Sequence, residues 1–419
     1  MTILRWFSSS DVRNAAAMRK HVQRLLAAER DILAPAAIEN VENALRDFTA
    51  ALNTGARREA LKTEMTKLEE TANKWLKPYP NSGIRENVEV LLVALSVAMG
   101  IRTFFLQPFK IPTGSMQPTL FGVTSVPDFT KAEFWKSDRA QIMSQLDQQV
   151  KARNAIVIPT GWERIKEWFQ GVSYIHLVAK ADGRVERIDP PIGIKIINFK
   201  QSVWIGGVEH TIWFPPDFGE MPVEKRAGFF LEPDHVYHVG DDVIKMKVCA
   251  GDHLFVDRLS YNFRKPERGE IIVFETKGID GLQQDQFYIK RMVVKPGDRV
   301  SIGDDRHLVI NDLRLDASTP HFENVYSFNP ATPPRESQFS GHVNGAVAQK
   351  FGLYPNLAPL FPDEQTVFTN DADAYMVMGD NTCNSSDSRT WGTLPAKNVI
   401  GKSFFVYWPI TARFGWGNQ

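Results

Sequence analysis

The chain begins with helical spacing of apolar residues. In "SSSDVRNAAAMRKHVQRLLAAERDIL" they recur three and four apart behind a run of serine caps. Pro35 breaks that pattern before "AAIENVENALRDFTAALN", and Gly55 separates the latter from "ARREALKTEMTKLEETANKWL". Three amphipathic helices in succession predict a small bundle over residues 1–85, closed by the turn-forming "KPYPNSG". Beyond Pro108 the period changes to that of strands. "DHLFVDRLSYNF", "GEIIVFET", "QFYIKRMVVKPGDRVSI", "RHLVINDLRL" and "KSFFVYWPI" are short β-branched or aromatic runs bounded by Gly, Pro and Asp. Residues 122–250 read as an interposed block, first helical ("KAEFWKSDRAQIMSQLDQQVKA"), then two hairpins, "SYIHLVAKADGRVERI" and "QSVWIGGVEHTIWF". A second polar, proline-rich block covers about 316–370. The expected class is α+β, mainly antiparallel β over 108–419 behind a helical N-terminus.

One segment fits neither texture. Val88–Phe105 lacks Asp and Lys, and is interrupted by Glu89 near its start and Arg102 near its end. The clean run between them, Val90–Ile101, is shorter than the roughly 20 residues a membrane span requires. Snorkelling of Arg102 with "TFFLQPF" completing the passage would make 86–107 a single span; a buried core helix is the other reading. The run begins nearly ninety residues into the chain, which argues against a cleaved signal peptide. Up to Arg85 there are 14 Lys/Arg against 10 Asp/Glu, and Lys74, Lys77 and Arg85 flank the run, so the positive-inside rule favours a cytoplasmic N-terminus. Arg102 and Lys110 on the other side weaken that asymmetry.

Composition narrows the chemistry. Charge is balanced at 49 basic and 49 acidic residues, giving no field for nucleic acid. Nine histidines and two cysteines form no HExxH, CxxC or zinc spacing, so neither a metal nor a cofactor is expected. Cys249 and Cys383 are either one disulfide or two independent thiols. In "IPTGSMQPTL", Ser115 stands in a proline-framed turn, but Gln117 occupies the place of the second glycine of GxSxG. A serine nucleophile needs a base, and a desolvated lysine can serve. On a strand, Lys290 shares a face with Tyr288 and Met292, so its stem can be buried. Taken alone, each residue is ordinary: a turn serine and a strand lysine.

Read in order behind an apolar segment, "TGSMQPTL", "RGEIIVFE", "YIKRMVVKPGDRV" and "GDNTCNSSDSRTWG" resemble the type I signal peptidases, membrane-anchored Ser–Lys endopeptidases of bacteria. The likeness covers about 86–120, 250–315 and 374–410, and implies that family's β-fold over 108–419 with inserts at 122–250 and 316–370. It implies Ser115 as nucleophile and Lys290 as general base, with the Ser115 N–H and the Thr113 hydroxyl meeting the oxyanion. Many members carry serine where Thr113 stands; threonine keeps the donor but restricts χ1. Ser385 falls where the family orients the lysine. Asp380, Asp387 and Arg389 fall where it braces the site, with Arg291 as an ion-pair partner. Ile111, Pro112, Met116, Leu120, Tyr288 and Ile289 would line shallow pockets for small side chains, or simply pack the core. Thr382-Cys383 stands where the family usually has Arg-Asp.

The resemblance implies a single-pass protein of the bacterial inner membrane with its catalytic unit on the extracytoplasmic side. Preproteins cut at Ala-x-Ala-type sites would be its substrates. The bilayer, and the secretion translocon as a candidate, would be its other partners. The helices of 1–85 and the 122–250 insert could recognise preproteins, contact the translocon or only shape the fold. Trp408, Phe414 and the "FGWG" stretch belong either to a membrane interface or to a β-core. Two alternatives differ in class: a self-cleaving Ser–Lys regulator, and an inert membrane-tethered scaffold with a peptidase fold.

Overall fold

The computed structural model describes residues 10–54, 58–76, 82–131, 139–194, 197–334, 340–354 and 356–416. It divides into two compact units, Met1–Ala98 and Met99–Gln419. In the first, α1 (Ser10–Glu29), α2 (Pro35–Thr54) and α3 (Arg58–Trp75) pack as the periodicity predicts. Val22 and Leu26 of α1 meet Val41, Leu45, Phe48 and Leu52 of α2 and Leu61, Leu68 and Ala72 of α3 in one core. Pro35 opens α2, where a missing N–H costs nothing because the first turn's donors lack helical partners. Gly55 and most of "KPYPNSG" lie outside the described residues.

The helix α4 (Ser82–Phe104) starts earlier than the apolar run alone suggests. Its stretch Gly83–Phe104, 22 residues, is about 33 Å long at the α-helical rise, enough for a hydrocarbon layer of about 30 Å. Leu91, Leu92, Val93 and Val97 stand exposed along it. That exposure corrects the core-helix reading.

In the second unit, α4 runs into β1 (Leu106–Lys110), followed by the serine turn and β2 (Thr124–Val126). The 122–250 insert continues through α5 (Arg139–Asn154), α6 (Gly161–Phe169), β3 (Val172–Val178), β4 (Val185–Ile188), β5 (Ile192–Ile194), β6 (Ile197–Ile205), β7 (Val208–Trp213), α7 (Val223–Arg226) and β8 (Asp242–Cys249). Then come β9 (His253–Asp257), β10 (Ile271–Glu275), β11 (Phe287–Val294), β12 (Arg299–Ile302), β13 (Leu308–Ile310), β14 (Leu313–Arg314), β15 (Phe368–Thr369), β16 (Ala374–Met378), β17 (Leu394–Pro395), β18 (Val399–Trp408) and β19 (Gly415–Trp416). The main sheet is antiparallel in the order β1-β9-β18-β10-β11-β16-β17, with β19 on β18. A smaller sheet, β14-β13-β12-β15, shares a core with Phe322, Val325, Tyr326 and Phe361 of the second insert.

The first insert forms two further sheets, β2-β8-β3 and β4-β6-β5 with β7 on β6. The β6–β7 hairpin turns at Gly206 and Gly207, both at positive φ, as its sequence predicts. "SYIHLVAKADGRVERI" is not a hairpin. β3 pairs along its length with β8, seven decades of sequence away in the chain's return path, while β4 joins β6 in the other sheet. Gly183 at φ +152 lets the chain cross between the two, where a Cβ would come within 2.6 Å of Gly206 Cα.

Buried Arg226 ties the insert to the strand that enters it. Its guanidinium donates to the carbonyls of Phe218, Met221 and Val123, to Ser125 Oγ, and to Asp128 Oδ2 at 2.8 Å. Both partners of the Arg226–Asp128 pair are almost fully buried. Removing one such partner leaves the other's charge uncompensated, at a cost of about 3–5 kcal/mol. Arg226→Met is therefore expected to lower the unfolding free energy of this unit by that amount, with the denaturant midpoint falling accordingly. A loss below about 1 kcal/mol in urea titration would contradict the assignment.

Candidate active site

The serine turn is held by backbone contacts on three sides. Ile111 N–H donates to the Asp252 carbonyl at 2.9 Å, and Asn381 N–H donates to the Ser115 carbonyl at 3.0 Å. The Asn381 side chain adds a bond to the Gly114 carbonyl at 3.0 Å. Two glycines make this closeness possible. A Cβ at Gly122 would fall 2.1 Å from the Thr113 carbonyl, and one at Gly379 would fall 2.5 Å from the Ser115 carbonyl oxygen. Asp252 is fixed in turn by a two-pronged pairing with Arg413 and accepts from Phe121 N–H at 2.7 Å.

Into this turn β11 delivers Lys290. Its ammonium donates to Ser115 Oγ at 2.8 Å, and both side chains are buried. Burial lowers the Lys290 pKa to about 8; Asp387, Asp380 and Glu220 pull it upward and Arg389 pushes it down. The shared face expected for Tyr288, Lys290 and Met292 is present: Tyr288 and Met292 belong to one apolar cluster, and the ammonium lies 5.5 Å from the Tyr288 ring centroid.

Two buried ion pairs stand behind the dyad. Arg291 grips Asp380 through Nε and Nη2 at 2.8 and 2.7 Å, and Thr119 Oγ1 donates to the same carboxylate at 2.5 Å. Arg389 grips Asp387 at 2.9 and 2.8 Å, and Asp387 also accepts from Gly379 N–H at 3.0 Å. Burial pushes the Asp387 carboxyl up, but the Arg389 charge and these donors outweigh it and hold the group below its ordinary range. At the departure from the family pattern, the Thr382 hydroxyl accepts from Arg389 Nη1 at 2.5 Å and from Val343 N–H at 3.1 Å. Thr382 thus offers neutral acceptors to an arginine whose charge is already matched.

Other expected residues fall differently. Ser385 Oγ is buried and lies against Gly379, with no hydrogen-bond partner among the described residues. Thr113 is half-buried, and its hydroxyl has no hydrogen bond among the described residues. Ile111, Met116 and Leu120 are core residues packed with Leu254, Val256 and Val273, beneath the cleft and not on its surface. Pro112 is exposed, and Tyr288 and Ile289 are half-buried. Cys249 and Cys383 are not joined in a disulfide. Trp408 is neither core nor isolated: half-buried, it packs on Trp168 of α6 with centroids 5.2 Å apart. Phe414 and Trp416 are exposed and edge-packed on Phe405.

Sequence reasoning did not single out Asn381, Thr119 or the Asp252–Arg413 pair. Asn381 lies within "GDNTCNSSDSR", but what fastens the turn is its main-chain N–H and amide, which composition does not reveal. The cleft has one further property. Among the described residues, β1 pairs only with β9, and residues 287–290 of β11 pair only with β10. Phe109 and Phe287 bridge these open edges edge-to-face, 5.3 Å between centroids. An extended peptide between them would find unpaired backbone groups on either side.

Among the described residues, a buried lysine hydrogen-bonded to a serine thus lies at the end of two open strand edges. Residues 229–408, which include Lys290 and Asp387 but not Ser115, match the family described as signal peptidase, peptidase S26. The chain is 31% identical over 192 residues to the probable signal peptidase I-1 of Synechocystis sp., covering 45% of this chain and 76% of that one. To the probable signal peptidase I-2 of the same organism it is 29% identical over 162 residues, covering 38% and 56%. To the probable thylakoidal processing peptidase 2 of Arabidopsis thaliana it is 32% identical over 166 residues, covering 38% of this chain and 34%, about a third, of the relative's length. The chain belongs to the signal peptidase I family.

The buried lysine has a measurable signature. A folded-state pKa of about 8 lies below the unfolded 10.5, so the cost of burying the charge is fully present below pH 8 and disappears as pH rises through 10.5. That cost is on the order of 3 kcal/mol. Lys290→Met is expected to raise the unfolding free energy at pH 6 and to lose that advantage above pH 10. Denaturant titrations at the two pH values decide it; equal differences at both would show that Lys290 is not held this way.

Proposed function

We propose that the protein is a membrane-bound serine endopeptidase that removes N-terminal signal peptides from secreted preproteins. The observation that carries the proposal is the 2.8 Å Lys290–Ser115 bond made by a lysine whose burial brings its neutral form near physiological pH. Neutral Lys290 takes the Ser115 proton as Oγ attacks the scissile carbonyl. The same lysine returns the proton to the leaving amine and later activates water against the acyl-enzyme. The Ser115 N–H and the Thr113 hydroxyl, which no other described group engages, receive the oxyanion. Asp380, Asp387, Arg389, Arg291 and Ser385 support the dyad. Pro112, Tyr288 and Ile289 wall the pocket for the small residue before the cut.

The exposed α4 serves as the single span, with residues 1–85 cytoplasmic and 108–419 on the extracytoplasmic side of a bacterial inner membrane. Ser115 follows the end of α4 by eleven residues, a reach of under about 40 Å even fully extended. That keeps the nucleophile near the bilayer surface, where signal peptides end. The bilayer supports the enzyme, and the secretion translocon is its neighbour there.

Incubation of the full chain in detergent with a preprotein tests this directly. Ser115→Ala and Lys290→Ala are each expected to lower cleavage by at least about 10³-fold; equal processing by the wild type and Ser115→Ala would leave an inert scaffold as the reading. Because the base must be neutral, kcat/KM should rise about tenfold per pH unit below 8 and level off above it. For the oxyanion donor, Thr113→Val is expected to cut kcat by roughly 10²–10³ with KM nearly unchanged, and Thr113→Ser to restore it. A Thr113→Val enzyme of normal kcat would remove Thr113 from the mechanism.

A further inference from the structure

The loop between β7 and α7, "FPPDFGEMP", leaves the first insert and returns to the serine turn. Three contacts fix it there. Arg226 holds the Phe218 and Met221 carbonyls together with that of Val123, on the strand that follows the turn. Asp217 pairs with Lys110 at the end of β1 and accepts from Gly219 N–H at 2.8 Å. Gly219, at φ +68, presses its backbone against the turn itself: a Cβ there would stand 2.8 Å from the Pro112 carbonyl oxygen. The next residue, Glu220, is exposed and has no hydrogen bond or ion pair among the described residues. Asp217 and Lys110 neutralise one another, so Glu220 is the unmatched charge that this loop brings to the cleft rim. Its field reaches both sides of the cleft chemistry, acting on Lys290 and, after burial, on the Tyr288 hydroxyl.

We propose that Glu220 is a specificity-determining residue that favours substrates carrying lysine or arginine next to the small residue entering the pocket, and disfavours those carrying an acid there. The inference rests on the peptidase reading above. An extended peptide turns alternate side chains to opposite sides. While one small side chain faces the wall of Tyr288 and Ile289, its neighbours project toward the rim, where Pro112 and the Glu220 loop lie. A carboxylate at the rim discriminates by attraction to one sign and repulsion of the other. At a separation of several ångströms in a water-like dielectric, the span between a lysine and a glutamate substrate comes to about tenfold. Such a preference fades with salt, since both charges are solvated.

The test uses the full chain in detergent and peptides with alanine at the cleaved residue and two residues before it. Lysine, glutamine or glutamate is placed at the intervening and following positions. The wild type is expected to show a Lys:Glu ratio of kcat/KM of about ten at one of these positions, falling toward one in 1 M salt. Glu220→Gln should bring the ratio to within about twofold, and Glu220→Lys should invert it. Any effect of Glu220 on Lys290 alters all peptides alike and cancels in the ratio. The same peptides are titrated by fluorescence anisotropy against Ser115→Ala and Ser115→Ala/Glu220→Gln, which reads recognition without cleavage. No preference in the wild type, or a ratio unchanged in Glu220→Gln by both measurements, overturns the proposal. A binding preference that Glu220→Gln abolishes, in a protein that cleaves no peptide, would sustain the recognition role and sink the peptidase reading instead.

Discussion

Everything at this site depends on keeping one lysine out of water. In solution the Lys290 ammonium would be charged throughout the physiological range. Desolvation alone depresses its pKa, but two carboxylates close by, Asp380 and Asp387, pull the other way. The protein resolves the conflict by giving each carboxylate its own arginine before either can serve the lysine. Arg389 adds its own repulsion to the ammonium. The buried pairs are therefore an electrostatic screen as much as a brace. This explains why so much charge is tolerated in a core, where an unpaired ion would be far more costly than any single contact it makes.

The same arrangement bears on Thr382, at the place where the resemblance implies a charged pair. Where relatives usually have a charged pair, Thr382 supplies a hydroxyl and a carbonyl to Arg389, and Val343 of the second insert donates to that hydroxyl. The arginine's charge is already balanced by Asp387, so neutral acceptors are sufficient for its remaining N–H groups.

How much of this could be read from the sequence depends on the range of the interaction. The helices Ser10–Glu29, Pro35–Thr54 and Arg58–Trp75, the strands around Lys290 and the Gly-Gly hairpin follow local periodicity and turn chemistry, and the structure has them where the pattern puts them. The separation of β3 from β4 was not legible, because strand pairing with β8 is decided by register across the whole insert. The burial of Ile111, Met116 and Leu120 was equally hidden: an apolar residue in a loop reads the same whether it lines a pocket or lies beneath one. The direction of the Ser385 hydroxyl was not legible either, because it is set by packing against Gly379 and not by residue type.

The insert's placement follows from its ends. It leaves the parent fold after Gly122 and rejoins at Gly251, and neither position admits a side chain. A Cβ at Gly251 would lie 1.9 Å from the Ile111 carbonyl, as one at Gly122 would collide with Thr113. The two ends are joined at once, Thr124 against Cys249 in the β2–β8 ladder and Asp252 N–H on the Phe121 carbonyl at 2.8 Å. An excursion that departs and returns at adjacent points closes its loop within itself, so its length scarcely burdens the catalytic sheet. Because those points flank the serine turn, whatever the insert builds stands over the cleft. Arg226 then needs only to hold one loop to Val123 for the insert to present Asp217, Gly219 and Glu220 to the segment that carries Ser115. The geometry lets recognition change within the insert while the Ser–Lys pair and its arginine screen stay as they are.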